Sequence, residues 1–243
     1  MTRNVTMKGC QSVCPEKSVG QNVAVLLCGK LSGCKKMKLY EPNPTVNMIG
    51  VRIEMNQTGI RFYTAHLKQQ STTSRDDIAS QFEEIKRQFC SAREGREAML
   101  LVFDANAHVG PEIIKGCQDT QDWGGKMLMK MVIDNGLTIV NGLDLCQGIV
   151  TRVDPRDGAK SSIDLAICNT FMLKNISTME IDEAEKWKLK KYGKKVTQTD
   201  HHTIKLDLSW KRATIVDECQ QPRDNLKNIE ARNRMKAVTQ LEQ

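Results

Sequence analysis

Ala98-Met99-Leu100-Leu101-Val102-Phe103-Asp104-Ala105-Asn106-Ala107-His108 is the stretch that decides how this chain folds. Residues 98–103 are apolar without a polar break, the pattern of a strand covered on both faces. The run stops on Asp104, and an amide and an imidazole follow at Asn106 and His108. A second stretch, Thr199-Asp200-His201-His202, sets an acid and a histidine just before Ile204, Leu206 and Leu208, which alternate as in a strand. The chain has 4 histidines, and three of them, His108, His201 and His202, lie in these two stretches. The fourth, His66, ends another strand-like run. Histidines gathered at strand ends are what a protein that uses them for chemistry would show.

The pattern extends outward from there. Ile49, Val51, Ile53 and Met55 alternate with polar or small residues, Asn56-Gln57-Thr58-Gly59 has turn chemistry, and Ile60 to His66 is a second strand, so 48–66 reads as a hairpin. Val23-Ala24-Val25-Leu26-Leu27 is a buried strand, and Leu137 to Asn141 and Ile163 to Ile167 are others. Ser74, with Asp77 three residues on, caps a helix whose face is Ile78, Phe82, Ile85 and Phe89. Met127, Leu128, Met131 and Val132 line a second helix that Asn135-Gly136 closes. Such a mixture predicts an α+β fold, a sandwich of two mixed β-sheets flanked by helices in four layers. Residues 1–20 show no periodicity and are expected to be irregular. The main domain is expected over 21–210. From Lys211 the apolar density drops, and Leu226, Ile229, Met235, Val238 and Leu241 would line a charged helical tail or linker over 211–243.

Composition narrows the function. With 243 residues, 40% hydrophobic and 27% charged, the chain can bury a sizeable core. No apolar run nears the ~20 residues of a membrane span, and the first residues lack the apolar core of a signal peptide, so no membrane partner and an intracellular setting are expected. The 9 cysteines include no Cys-x-x-Cys, which argues against a zinc site and for free thiols. Net charge is +7. Lys186, Lys188, Lys190, Lys191, Lys194 and Lys195 crowd together just before Asp200, interleaved with Trp187 and Tyr192. Alone, such a run is a solvated loop; beside a phosphoester site it equally suits a loop that grips phosphates.

The residue types define a chemistry. A hard cation such as Mg²⁺ prefers oxygen ligands. Asp104 supplies a carboxylate, Asn106 lies on the same side if the backbone stays extended, and Asp200 offers a second carboxylate. Asp164 is a carboxylate inside an apolar strand and needs a partner. His201 is the natural one, and an Asp-oriented imidazole is a general base.

The order Tyr63-Thr64-Ala65-His66, Phe103-Asp104-Ala105-Asn106-Ala107-His108, Gly136-Leu137-Thr138-Ile139-Val140-Asn141, Thr151, Ser162-Ile163-Asp164-Leu165 and Thr199-Asp200-His201 resembles the endonuclease/exonuclease/phosphatase superfamily. Within it, the motifs are most similar to the apurinic-type endonuclease domain of non-LTR retrotransposons, over about residues 20–210. That resemblance implies a Mg²⁺- or Mn²⁺-dependent phosphodiesterase that nicks DNA by in-line attack of water. The implied catalytic residues are His66, Asp104, Asn106, Asp164, Asp200 and His201. Asp104 would act along the phosphoryl path and Asn106 would hold the scissile phosphate. His201 would be the base, oriented by Asp164, and His66 would stand near the phosphate. The implied metal ligands are Asp104, Asn106, Asp200 and His201. The lysine run at 186–195 would contact DNA, His108 would be structural and His202 a bystander. A reverse transcriptase domain of the same polyprotein is an implied partner, and a nuclear setting follows if the element is active.

The superfamily pattern begins with two strands ending in an Asn and a metal-binding Glu. Before Val23 the nearest matches are Asn4 and Glu16, at spacings that do not fit, so the domain is expected to be incomplete at its N-terminus. Two other readings therefore stay open: a decayed, inactive nucleic-acid-binding remnant, and a phosphatase of the same fold acting on lipid or inositol phosphates.

Overall fold

The computed structural model describes residues 10–13, 25–28, 37–43, 46–55, 58–184 and 200–209. They all fall in the first of two units, Met1–Ser209 and Trp210–Gln243. Asn4, Glu16, Lys186 to Lys195 and the helical tail expected beyond Lys211 lie outside the described residues.

Strands β3 (Met37–Asn43), β4 (Asn47–Met55), β5 (Thr58–His66), β6 (Ala98–Asp104), β7 (Thr138–Ile139) and β11 (Asp164–Cys168) form one six-stranded sheet in the order β3-β4-β5-β6-β11-β7. It is mixed: β5 and β6 run parallel, while β6–β11 and the outer pairs are antiparallel. A three-stranded sheet has the order β13-β12-β8, from β8 (Cys146–Gln147), β12 (Ile176–Ile181) and β13 (Ile204–Leu208). Among the described residues, two small antiparallel pairs complete the strands, β1 (Cys10–Val13) with β2 (Val25–Cys28), and β9 (Arg152–Val153) with β10 (Lys160–Ser161). Mixed sheets with a few helices make an α+β sandwich, the class the sequence predicts. Cys10–Val13 is a departure from it, because a four-residue strand is too short to show periodicity.

The helices sit where their caps and apolar stripes direct. In α1 (Arg75–Glu94) the N-cap Ser74 accepts the Asp77 N–H at 3.2 Å. In α2 (Trp123–Asp134) Asp122 accepts the Gly125 N–H at 2.6 Å. A short α3 (Thr170–Leu173) follows β11. Ile78, Phe82, Ile85 and Phe89 of α1 and Leu128, Met131 and Val132 of α2 join Tyr63, Ala65, Met99, Leu101, Phe103, Leu165 and Ile167 in one buried cluster. The strand members of this cluster are alternate residues, so it covers one face of the six-stranded sheet. Residues of the opposite parity, Ile60, Ala98, Leu100, Ala166 and Cys168, are buried on the other face.

One expected strand is shorter than predicted. Leu137 to Asn141 pairs with β11 only through Thr138 and Ile139, then tightens into a 3-10 turn at Val140–Gly142. The turn swings the buried Asn141 amide inward, where Nδ2 donates to the Asp164 carbonyl at 3.1 Å and Oδ1 accepts the Ala166 N–H at 2.8 Å. Gly142 lies against the Ile113 carbonyl, where a Cβ would overlap it.

Candidate active site

The registers of three adjacent strands build the site. His66, the last residue of β5, is paired with Asp104, the last of β6, and Asp104 is paired with Asp164, the first of β11. Register partners share a face, so one imidazole and two carboxylates stand in a row at one end of the sheet, on the face away from α1 and α2. His66 Nε2 is 3.5 Å from Asp104 Oδ2. Two carboxylates directly opposite each other repel. Burial, and then the Asp164 charge, pushes the Asp104 carboxyl above its ordinary value.

His201 enters from the segment before β13. Arg152 and His201 form an isolated antiparallel bridge, and the flanking bonds Val153 N–H to Asp200 carbonyl, 2.8 Å, and His202 N–H to Thr151 carbonyl, 2.7 Å, extend it. This aims His201 at the row. Its Nδ1 lies 2.8 Å from Asp164 Oδ2. That hydrogen bond raises the imidazole above its usual value, against an opposing effect of burial. Asp164 is held in turn: the buried Thr151 hydroxyl accepts its N–H at 2.9 Å and that of Ile163 at 3.0 Å, and Asn141 takes its carbonyl. Thr151 and Asn141 bond the backbone of Asp164. They set the position of β11, a role visible only once the strands are assembled.

The Asn106 loop departs from the extended backbone expected of it. Asn106 has φ 45, in the left-handed region that asparagine tolerates. The turn lets Asp104 Oδ1 accept the Asn106 N–H at 3.0 Å, while Asn106 Nδ2 donates to the Leu67 carbonyl at 2.7 Å. Gln70 and Asp122 brace the loop. Gln70 Nε2 donates to the Asn106 carbonyl at 2.9 Å and to Asp122 Oδ2 at 2.8 Å, and Asp122 Oδ2 also accepts the His108 N–H at 3.1 Å. A Cβ on Gly125 would overlap the His108 carbonyl, so the start of α2 closes tightly on the loop. The His108 Nδ1 atom lies 3.4 Å from Asp119 Oδ1, outside hydrogen-bond geometry. Neither Gln70 nor Asp122 has a sequence signal of its own, because polar residues at a helix start usually do no more than cap.

Asp200 lies apart from the row. Its Oδ2 accepts Arg152 Nε at 2.8 Å, and that guanidinium holds its carboxyl below the usual range. Its Oδ1 is 3.9 Å from His201 Nε2. Of the four expected metal ligands, then, Asp104 and His201 are brought together, Asn106 donates its amide elsewhere, and Asp200 is engaged by Arg152. Asp104, Asp164 and His201 each present one ligand atom, all within 4.8 Å of one another. Paired carboxylates whose repulsion a cation would relieve, with an imidazole beside them, form a donor set that fits a divalent cation.

Solved structures of the endonuclease/exonuclease/phosphatase fold share this architecture. The chain is similar to the endonuclease domain of TRAS1, a telomere-specific non-LTR retrotransposon, at 18% identity and a TM-score of 0.57 over 83% of this chain and 81% of that one. It is also similar to the 3'-5' exonuclease NExo from Neisseria meningitidis, at 13% identity and a TM-score of 0.59 over 84% and 81%. A third likeness is to an endonuclease/exonuclease/phosphatase family protein from Bacteroides thetaiotaomicron, at 12% identity and a TM-score of 0.50 over 83% and 76%. No protein-family model matches the chain, and no curated protein sequence matches it.

Proposed function

We propose that this chain is a divalent-metal-dependent phosphodiesterase that nicks DNA, the endonuclease module of a retroelement. The observation that carries the reading is the row His66–Asp104–Asp164 with His201 Nδ1 at 2.8 Å from Asp164. Three features support it. A carboxylate-oriented imidazole can take a proton from water. A second imidazole, His66, stands across the carboxylate pair from His201, where it can donate a proton to a departing oxygen. Asn106 Nδ2, which gives one N–H to the Leu67 carbonyl, has a second to offer a phosphate. Asp104, with Asp164 beside it, would hold Mg²⁺ or Mn²⁺, which when bound supplies positive charge to the phosphoryl oxygens. The fold shared with nucleases supports DNA as the substrate; a nuclear setting beside a reverse transcriptase belongs to the same proposal.

Nicking of supercoiled plasmid by the purified chain tests this. Expected is nicking that EDTA abolishes and that His201→Ala or Asp104→Ala lowers about 10²–10⁴-fold with the thermal melt preserved. A folded chain that never nicks would favour the inactive remnant. Release of phosphate from lipid or inositol phosphates with intact plasmid would favour the phosphatase.

A further inference from the structure

Arg152 has a place in the site that the proposed chemistry does not use. The β9–β10 hairpin and the bridge to His201 fix its backbone beside the base. Its Nε donates to Asp200 Oδ2 at 2.8 Å, its Nη2 is 3.6 Å from Asp154 Oδ2, and Nη1 has no partner among the described residues. The second carboxylate is already taken: Arg156 Nε and Nη2 donate to Asp154 at 3.0 and 2.7 Å. Asp200 is therefore the main anchor of Arg152. The pair is 28% and 33% exposed, and an ion pair that meets solvent adds little to folding, so stability is a weak reason for its position.

A guanidinium differs from a solvated lysine in two ways that matter here. It stays charged at any working pH, and its planar fork can hold one oxyanion through Nε while presenting Nη1 to another. We infer that Arg152 is a resident cation of the site: seated on Asp200, it keeps a divalent cation off that carboxylate and offers its outer edge to a substrate phosphate. The inference rests on the phosphodiesterase reading. It has two consequences. Phosphate binding survives removal of metal, because one cation of the site is covalently part of the chain. Metal is confined to the Asp104–Asp164 pair, because Asp200 is occupied.

Two measurements on the full chain test this, neither of which requires turnover. Anisotropy of a short labelled DNA duplex in EDTA reads phosphate binding. Titration with Mn²⁺ followed by electron paramagnetic resonance reads the metal. Arg152→Met is compared with Lys160→Met, which removes the same charge from an exposed position on the same hairpin. Arg152→Met is expected to weaken duplex binding in EDTA about tenfold, the value of one charge-assisted contact, and to tighten Mn²⁺ several-fold. Lys160→Met is expected to leave Mn²⁺ unchanged. Equal duplex losses in both variants with unaltered Mn²⁺ affinity overturn the assignment. Should Arg152→Met fail to fold, Arg152→Lys keeps the charge without the fork. Looser duplex binding with tighter Mn²⁺ in that variant upholds the assignment, and no change in either overturns it. A wild type that behaves as expected in both assays yet never nicks defeats the nuclease reading and leaves the role of Arg152 standing.

Discussion

His201 is oriented by its hydrogen bond with Asp164, and that contact has a pH signature. The Asp164 hydrogen bond raises the imidazole, and a general base works only when unprotonated. Activity should therefore climb with pH through a value above the ~6.5 of a free imidazole. Asp164→Asn removes the charge that raises it, so the climb should move to lower pH while the plateau falls, because the tautomer is no longer held. Superimposable profiles for the two proteins would take Asp164 out of the mechanism. The sign reverses for stability. The pair stabilises the fold fully below the unfolded imidazole value and loses that contribution as pH rises through the raised folded value. Asp104, Asp164 and His201 were readable in the sequence because each interrupts or flanks an apolar run. Arg152 was not. Thr151-Arg152-Val153-Asp154-Pro155 is ordinary turn-rich sequence, and its meaning comes from a bridge to a histidine far along the chain. The left-handed turn at Asn106 was hidden for a related reason: a strand that ends gives no sign of how its chain leaves.

At the other end of β6 from Asp104, a buried ion cluster ties three elements together. Glu97 accepts Arg52 Nε at 2.5 Å and also Arg61 Nε, and Arg61 Nη1 reaches Ser91 of α1 at 3.1 Å. Burial pushes the Glu97 carboxyl up, but the two guanidinium groups outweigh it and hold it below its ordinary value. A carboxylate so lowered stabilises the fold above its unfolded value, and the contribution is lost as pH falls through the lowered one. Glu97→Ala takes a buried carboxylate from beside Arg61, which is 8% exposed, and should cost about 3–5 kcal/mol in urea unfolding. Its acid limb should also be flatter than that of the wild type. Because the cluster lies at the far end of the strand, kcat of the folded fraction should hold, and a variant that lost activity without losing stability would contradict this division of labour. Helices α1 and α2 and the β4–β5 hairpin were legible from periodicity and caps, and the four-residue α3 was not. The 3-10 turn at Val140–Gly142 was not, because Asn141 leaves the strand to serve β11, a partner that local sequence does not reveal.

Across the whole molecule, strands β4, β5, β6, β11 and β13 could be read, β3 and β12 could not, and neither could the order of any of them. The site exists because β11 returns to lie antiparallel beside β6, which brings Asp164 against Asp104 across a long stretch of chain. Periodicity gives faces, not neighbours, so the acids could be found without the row they form. Charge is the other property of the whole chain, and it can be tested with no knowledge of that order. A net charge of +7, with six lysines between Lys186 and Lys195 just ahead of Asp200, suits a long polyanion better than a small phosphate ester. If DNA is the substrate, log affinity should fall linearly with log salt, with a slope near 0.9 for each phosphate neutralised. Lys190→Glu with Lys194→Glu should then weaken duplex binding and lower that slope by up to about 2. His201→Ala, which removes a base and not a phosphate contact, should leave the slope where it was. An unaltered slope in the double variant would return the lysines to solvated surface, and the DNA reading would then rest on the strand-end residues alone.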